Sequence, residues 1–90
     1  MIFTKDPDAT LDYTFDWSEW LQDGESITSH DVDVPEGITL DEVAASATAV
    51  TAWLTGGTAS GRYSIRCRIT TDNTPARIDD RTIEIQILDR

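Results

Sequence analysis

Ninety residues set the scale of one small domain, and 17 acidic against 7 basic side chains give a formal charge of −10. At that balance the long-range field repels phosphates, which disfavours DNA and RNA as partners, and none is expected. A single cysteine excludes an intrachain disulfide, and no apolar run approaches the roughly 18 residues of a membrane span. The acidity suits either plain solubility or docking onto a basic patch of a partner. Met1 to Pro7 lacks the basic start and apolar core of a signal peptide, so a soluble protein folding in a reducing cytosol is expected.

In chain order, a short strand is expected near residues 2–4. Tyr13, Phe15 and Trp17 then alternate with Asp12, Thr14 and Asp16, the period of a strand with one wet face. Ser18 to Asp23 suits one helical turn, capped by Ser18 and stopped by Gly24. Ser26 to Val34 is rich in β-branched residues and ends at the turn Pro35-Glu36-Gly37. The stretch Asp41–Leu54 is ambiguous. Thr39 to Glu42 matches a capping box, and Leu40, Val43, Ala44, Ala47 and Leu54 suit a helical stripe. Thr48, Val50, Thr51 and Thr55 favour strands instead, with Val50, Ala52 and Leu54 alternating against Thr51, Trp53 and Thr55 up to Gly56-Gly57.

The C-terminal third reads as a hairpin. Tyr63, Ile65, Cys67 and Ile69 point inward while Arg62, Ser64, Arg66, Arg68 and Thr70 point outward. Ile83, Ile85 and Ile87 face inward from the second strand, with Thr82, Glu84 and Gln86 outward. Pairing unlike charges sets Arg66 opposite Glu84 and Ile65 opposite Ile85, for about 0.2–1 kcal/mol across the outer face. Strands recurring at about 8–12 residues predict an all-β fold: an immunoglobulin-like β-sandwich of about seven antiparallel strands, one domain over residues 1–90. Gly61-Arg62-Tyr63 resembles the tyrosine corner of immunoglobulin-like domains, in which a tyrosine hydroxyl turns back onto the preceding loop. Ala59 and Ile65 stand where antibody domains carry aspartate and cysteine, so the resemblance excludes a disulfide-bearing antibody-type domain.

Chemistry is sparse. His30 is the only histidine and Cys67 the only cysteine, too few for a structural zinc site or a nucleophilic triad. Cys67 alternates with core residues and is expected to be buried and protonated. The acidic pairs, among them Asp31/Asp33 and Asp79/Asp80, match no calcium loop of fixed spacing. No catalytic residue, cofactor or metal ligand is expected, and the protein reads as a non-enzyme. Candidate partner contacts are Trp20 and Trp53, because tryptophan is enriched among interface hot spots, and the arginine row Arg62, Arg66 and Arg68. Such a row equally suits a wet sheet face paired to neighbours such as Glu84.

A longer pattern spans nearly the whole chain. It runs through Lys5-Asp6-Pro7, Leu11-Asp12-Tyr13, Asp16-Trp17-Ser18, Trp20-Leu21 and Val34-Pro35-Glu36-Gly37-Ile38. It continues with Trp53-Leu54-Thr55-Gly56-Gly57-Thr58, Gly61-Arg62-Tyr63 and Ile69-Thr70-Thr71. This resembles a family of small immunoglobulin-like virion structural proteins of bacteriophages and prophages, often labelled fibre–tail adaptors. Asp41 to Ala45 departs from it, with fewer β-branched residues than such a strand carries. The resemblance implies a virion component, assembled in the bacterial cytoplasm in multiple copies on a symmetric scaffold of other virion proteins at the neck, tail or capsid. An adaptor at the neck or tail is the first reading. A capsid decoration protein and a soluble carbohydrate- or calcium-binding module are the alternatives.

Overall fold

A computed structural model of the chain describes residues 2–88. Within them lie seven strands: β1 (Ile2–Lys5), β2 (Leu11–Asp16), β3 (Ile27–Asp33), β4 (Ile38–Ala45), β5 (Ala49–Gly56), β6 (Arg62–Thr71) and β7 (Ile78–Ile87). They form a four-stranded sheet in the order β1-β7-β6-β3 and a three-stranded sheet in the order β2-β5-β4. The expected all-β sandwich is the observed one.

Alternation builds the core. Tyr13 and Phe15 from β2 and Val50, Ala52 and Leu54 from β5 face Ile65, Cys67 and Ile69 from β6 and Ile83, Ile85 and Ile87 from β7. Trp17, just past β2, is fully buried and stacks on Phe15 with ring centroids 6.2 Å apart. Each isoleucine or leucine withdrawn from water stabilises the fold by about 1.5–3 kcal/mol. Burial of the Cys67 thiol pushes its pKa up to about 11, so it is protonated at neutral pH.

Three sequence expectations are corrected, two by the strand pairing and one by the hydrogen bonds of the turn after β2. The strands are not all antiparallel: β1 runs parallel to β7, with Phe3 opposite Ile85 and Lys5 opposite Ile87. Residues 6–10 carry the chain from one sheet to the other, so β1 is not hairpinned to β2 and is free to lie along the last strand. The hairpin register is also displaced by two. Ile65 faces Ile83 and Arg66 faces Thr82. That register sets Arg68 opposite Asp80, joined by two hydrogen bonds of 2.7 and 3.1 Å, and leaves Glu84 to Arg62 on the diagonal at 3.8 Å. Thirdly, the turn after β2 is capped by Asp16, whose Oδ1 accepts from the Ser18 N–H at 2.8 Å, while the Trp17 carbonyl accepts from Leu21 at 3.0 Å.

The ambiguous stretch is two strands. β4 pairs with β5 throughout, with an irregularity between Leu40 and Glu42. Asp41 is the extra residue of a β-bulge there, so the inward positions step from Leu40 to Val43, three residues instead of two. That step of three is what imitates a helical stripe in the sequence.

One buried charge ties the layers together. Lys5 is fully buried on β1, and its Nζ donates to the Gly56 carbonyl at 2.9 Å and the Asp6 carbonyl at 2.8 Å. Gly56 ends β5, so this lysine links the two sheets. Desolvation lowers its pKa, opposed by the nearby Asp6 and Asp8.

Candidate functional site

The candidate contact residues fall in three separate places. Trp20 lies at the end of the sandwich where the β2–β3 loop meets the β6–β7 turn. It is half-buried, and the Arg77 guanidinium lies 3.9 Å from its ring centroid. Arg77 in turn binds Glu25 through two hydrogen bonds, 2.9 and 2.6 Å, and donates to the Trp20 carbonyl at 3.2 Å. The Glu25 side chain is only 2 % exposed and also accepts from the Gln22 N–H at 2.9 Å. Neither Glu25 nor Arg77 stands out in the sequence, since their partnership spans 52 positions.

This lock gives the fold an acid-sensitive latch. The Arg77 hydrogen bonds hold the Glu25 carboxyl down to about 2, against an ordinary value of 4.5. A carboxylate depressed in the native state contributes stability that is complete above its unfolded pKa and disappears as pH falls through the folded one. Stability measured by urea denaturation is therefore expected to decline between pH 4.5 and about 2. Glu25→Gln should flatten that decline while lowering stability at neutral pH. An unchanged slope in the variant would show that this carboxylate is not coupled to folding. Asp16 and Asp80 are also held below their ordinary values, by hydrogen bonds from Ser18 and Arg68, and add to the slope with the same sign.

The arginine row lies on the outer face of the four-stranded sheet. Arg62 pairs with Glu84, Arg66 with Asp33 at 3.3 Å and Arg68 with Asp80. These pairs are exposed and add little to stability, but they balance the charge of the row in place. At the far end Tyr63 is half-buried, and its hydroxyl accepts from the Thr58 N–H at 3.0 Å. A Cβ at Gly37 or Gly61 would come within 3.0 Å of the Tyr63 ring, so both positions need the bare backbone.

Trp53 occupies the opposite side of the molecule. It is half-buried on the outer face of the three-stranded sheet, with Asp12 of β2 directly opposite on one side and Glu42 of β4 on the other. The β4 bulge adds Asp41 beside Glu42 against that one residue of β5. Threonines complete the face: Thr51 and Thr55 flank Trp53 along β5, and the Thr14 and Thr51 hydroxyls hydrogen-bond at 2.9 Å. No lysine or arginine occurs between Lys5 and Arg62, so β2, β4 and β5 carry no basic residue. That gap is visible in the sequence and marks the sheet as acidic, whereas the placement of Asp12 and Glu42 beside Trp53 comes from the strand register.

The arrangement offers an aromatic surface flanked by carboxylates on the outer face of the three-stranded sheet. Such a face suits attachment to another surface. The family model described as podophage GP4 fiber-tail adaptor protein gp77 matches residues 5–86. No curated protein matches the chain.

Proposed function

The chain belongs to the podophage GP4 fiber-tail adaptor family, phage virion structural proteins, and from that membership we propose that it is an immunoglobulin-like adaptor at the neck or tail. It works by attachment and carries out no reaction. The observation that carries the reading is the family match over residues 5–86. The strand order supports the immunoglobulin-like part. β7-β6-β3 packed on β2-β5-β4 corresponds to strands G-F-C on B-E-D of that sandwich, and Tyr63 bonded to the backbone at Thr58 corresponds to its tyrosine corner.

The adaptor docks through the outer face of the three-stranded sheet, centred on Trp53. The arginines of the Arg62–Arg66–Arg68 face and Arg77 at the Trp20 end are already paired with carboxylates within the chain, which favours Trp53 as the contact. Other virion proteins are the partners, engaged by several copies on a symmetric tail. A charge of −10 disfavours nucleic acid. A buried, protonated Cys67 suits assembly in the bacterial cytoplasm.

Gold-labelled antibody on purified particles tests the placement. Label at the neck or tail is the expected result. Label spread over the head would overturn it in favour of decoration. Unlabelled particles, with accessible antigen elsewhere in the lysate, would overturn any virion role.

A further inference from the structure

We propose that Trp53 receives an arginine side chain from the partner virion protein, the guanidinium stacking on the indole between Asp12 and Glu42. The inference rests on the adaptor reading above and specifies the chemistry of the partner.

The chain itself uses this recognition twice. The Arg77 guanidinium sits 3.9 Å from the Trp20 ring centroid and is held there by Glu25. The Arg81 guanidinium sits 4.8 Å from the Trp17 ring centroid, with Asp79 at 3.6 Å. In both, an indole face and a carboxylate bind the same cation. Trp53 is the remaining tryptophan. Its neighbours across β2 and β4 are carboxylates, yet among the described residues no arginine lies over its ring and its indole N–H makes no hydrogen bond. It has two of the three components, and the third is left to come from outside.

The local backbone is built around this residue. The bulge sets both Asp41 and Glu42 against Trp53, and bulges commonly re-aim side chains beside binding sites. Strand spacing of about 4.8 Å puts the positions opposite Trp53 on β2 and β4 about 10 Å apart, with the indole between them. A guanidinium suits that gap better than an ammonium. It is planar, stacks on an aromatic face, and still directs several N–H donors toward carboxylates on its edges. The absence of any basic residue on β2, β4 and β5 leaves nothing on the sheet to repel it.

The test uses particles produced without this protein, to which the purified chain is added and its binding measured by co-sedimentation. The wild-type chain is expected to bind. Treating the particles with phenylglyoxal, which blocks arginine, should abolish binding, whereas acetylating their lysines should not. Trp53→Ala should weaken binding about 30-fold or more, as truncating a central hot spot does. Because Trp53 is half-buried, circular dichroism must show this variant folded. The double variant Asp12→Asn/Glu42→Gln leaves the indole in place and should weaken binding about tenfold at low salt. Asp23→Asn/Glu36→Gln, with the same change in net charge at positions off this face, should bind as wild type.

Binding by Asp12→Asn/Glu42→Gln and by folded Trp53→Ala at wild-type strength would overturn the inference while leaving the adaptor role standing. So would binding that survives phenylglyoxal, or that is lost on acetylation alone. Failure of the wild-type chain to bind deficient particles would instead overturn the adaptor reading itself.

Discussion

Trp17→Ala is expected to cost about 3–5 kcal/mol, the range for removing a large aromatic from a packed core. A domain of this size holds roughly 5–13 kcal/mol in total, so the variant should be largely unfolded under mild denaturing conditions. Several contacts fail together. The indole is fully buried against Phe15, and its N–H donates to Asp79 Oδ2 at 2.9 Å. Arg81 lies over the ring and donates to the Asp16 carbonyl, which fastens the end of β2 to β7. Removing the ring opens a cavity, deprives Asp79 of a donor and leaves Arg81 without its platform. Trp17→Phe should fall between, since it keeps apolar volume and loses the N–H. Urea denaturation measures both. A loss below about 1 kcal/mol for the alanine variant would show that the indole does not help to hold the sheets together.

The second large effect is at Gly57, where alanine is expected to cost roughly 2–5 kcal/mol. Its φ of +98° lies where a Cβ meets its own backbone. That Cβ would also lie 2.6 and 2.7 Å from Ile87 Cδ1 and Cγ1, and 3.3 Å from Ile38 Cδ1. Both isoleucines are core residues, with Ile87 fully buried. Ile87 must leave its rotamer, or the Gly57 N–H must give up its 2.9 Å bond to the Gly37 carbonyl. Pairing the change with Ile87→Ala, which removes both clashing atoms, separates the two causes when the pair is compared with Ile87→Ala alone. Partial rescue assigns the rescued part to the clash, and the remainder to the backbone. A single variant as stable as wild type would refute both.

The strands were legible where both neighbours obey the same period. β2, β5, β6 and β7 alternate cleanly because each has one core face and one wet face, and their inward residues are the ones expected. β4 was ambiguous because its bulge replaces a step of two by a step of three, and a pattern read along one strand holds no record of a register shift. The hairpin register differs from the expected one for a related reason. Arg66 and Glu84 are an attractive pair on paper, but a bidentate contact from Arg68 to Asp80 and a diagonal one from Arg62 to Glu84 satisfy more charge at once. The parallel placement of β1 depends on the crossing between sheets, which alternation does not describe. Of the contact candidates, the tryptophans were visible by residue type alone. That Trp20 lies under Arg77, and that Trp53 stands between Asp12 and Glu42, follows from pairings distant in the chain.

The uneven placement of the arginines also shapes how the molecule approaches other surfaces. The outer face of one sheet holds positive and negative groups side by side, while the outer face of the other, on the far side of the core, has only negative ones among its charged groups. The domain therefore carries an electric dipole across its thickness as well as a net charge. In the field of a positive surface it experiences a torque that turns the three-stranded sheet forward before any side chains touch. Productive encounters then become a larger share of all collisions, an advantage that shrinks as salt shortens the reach of the field.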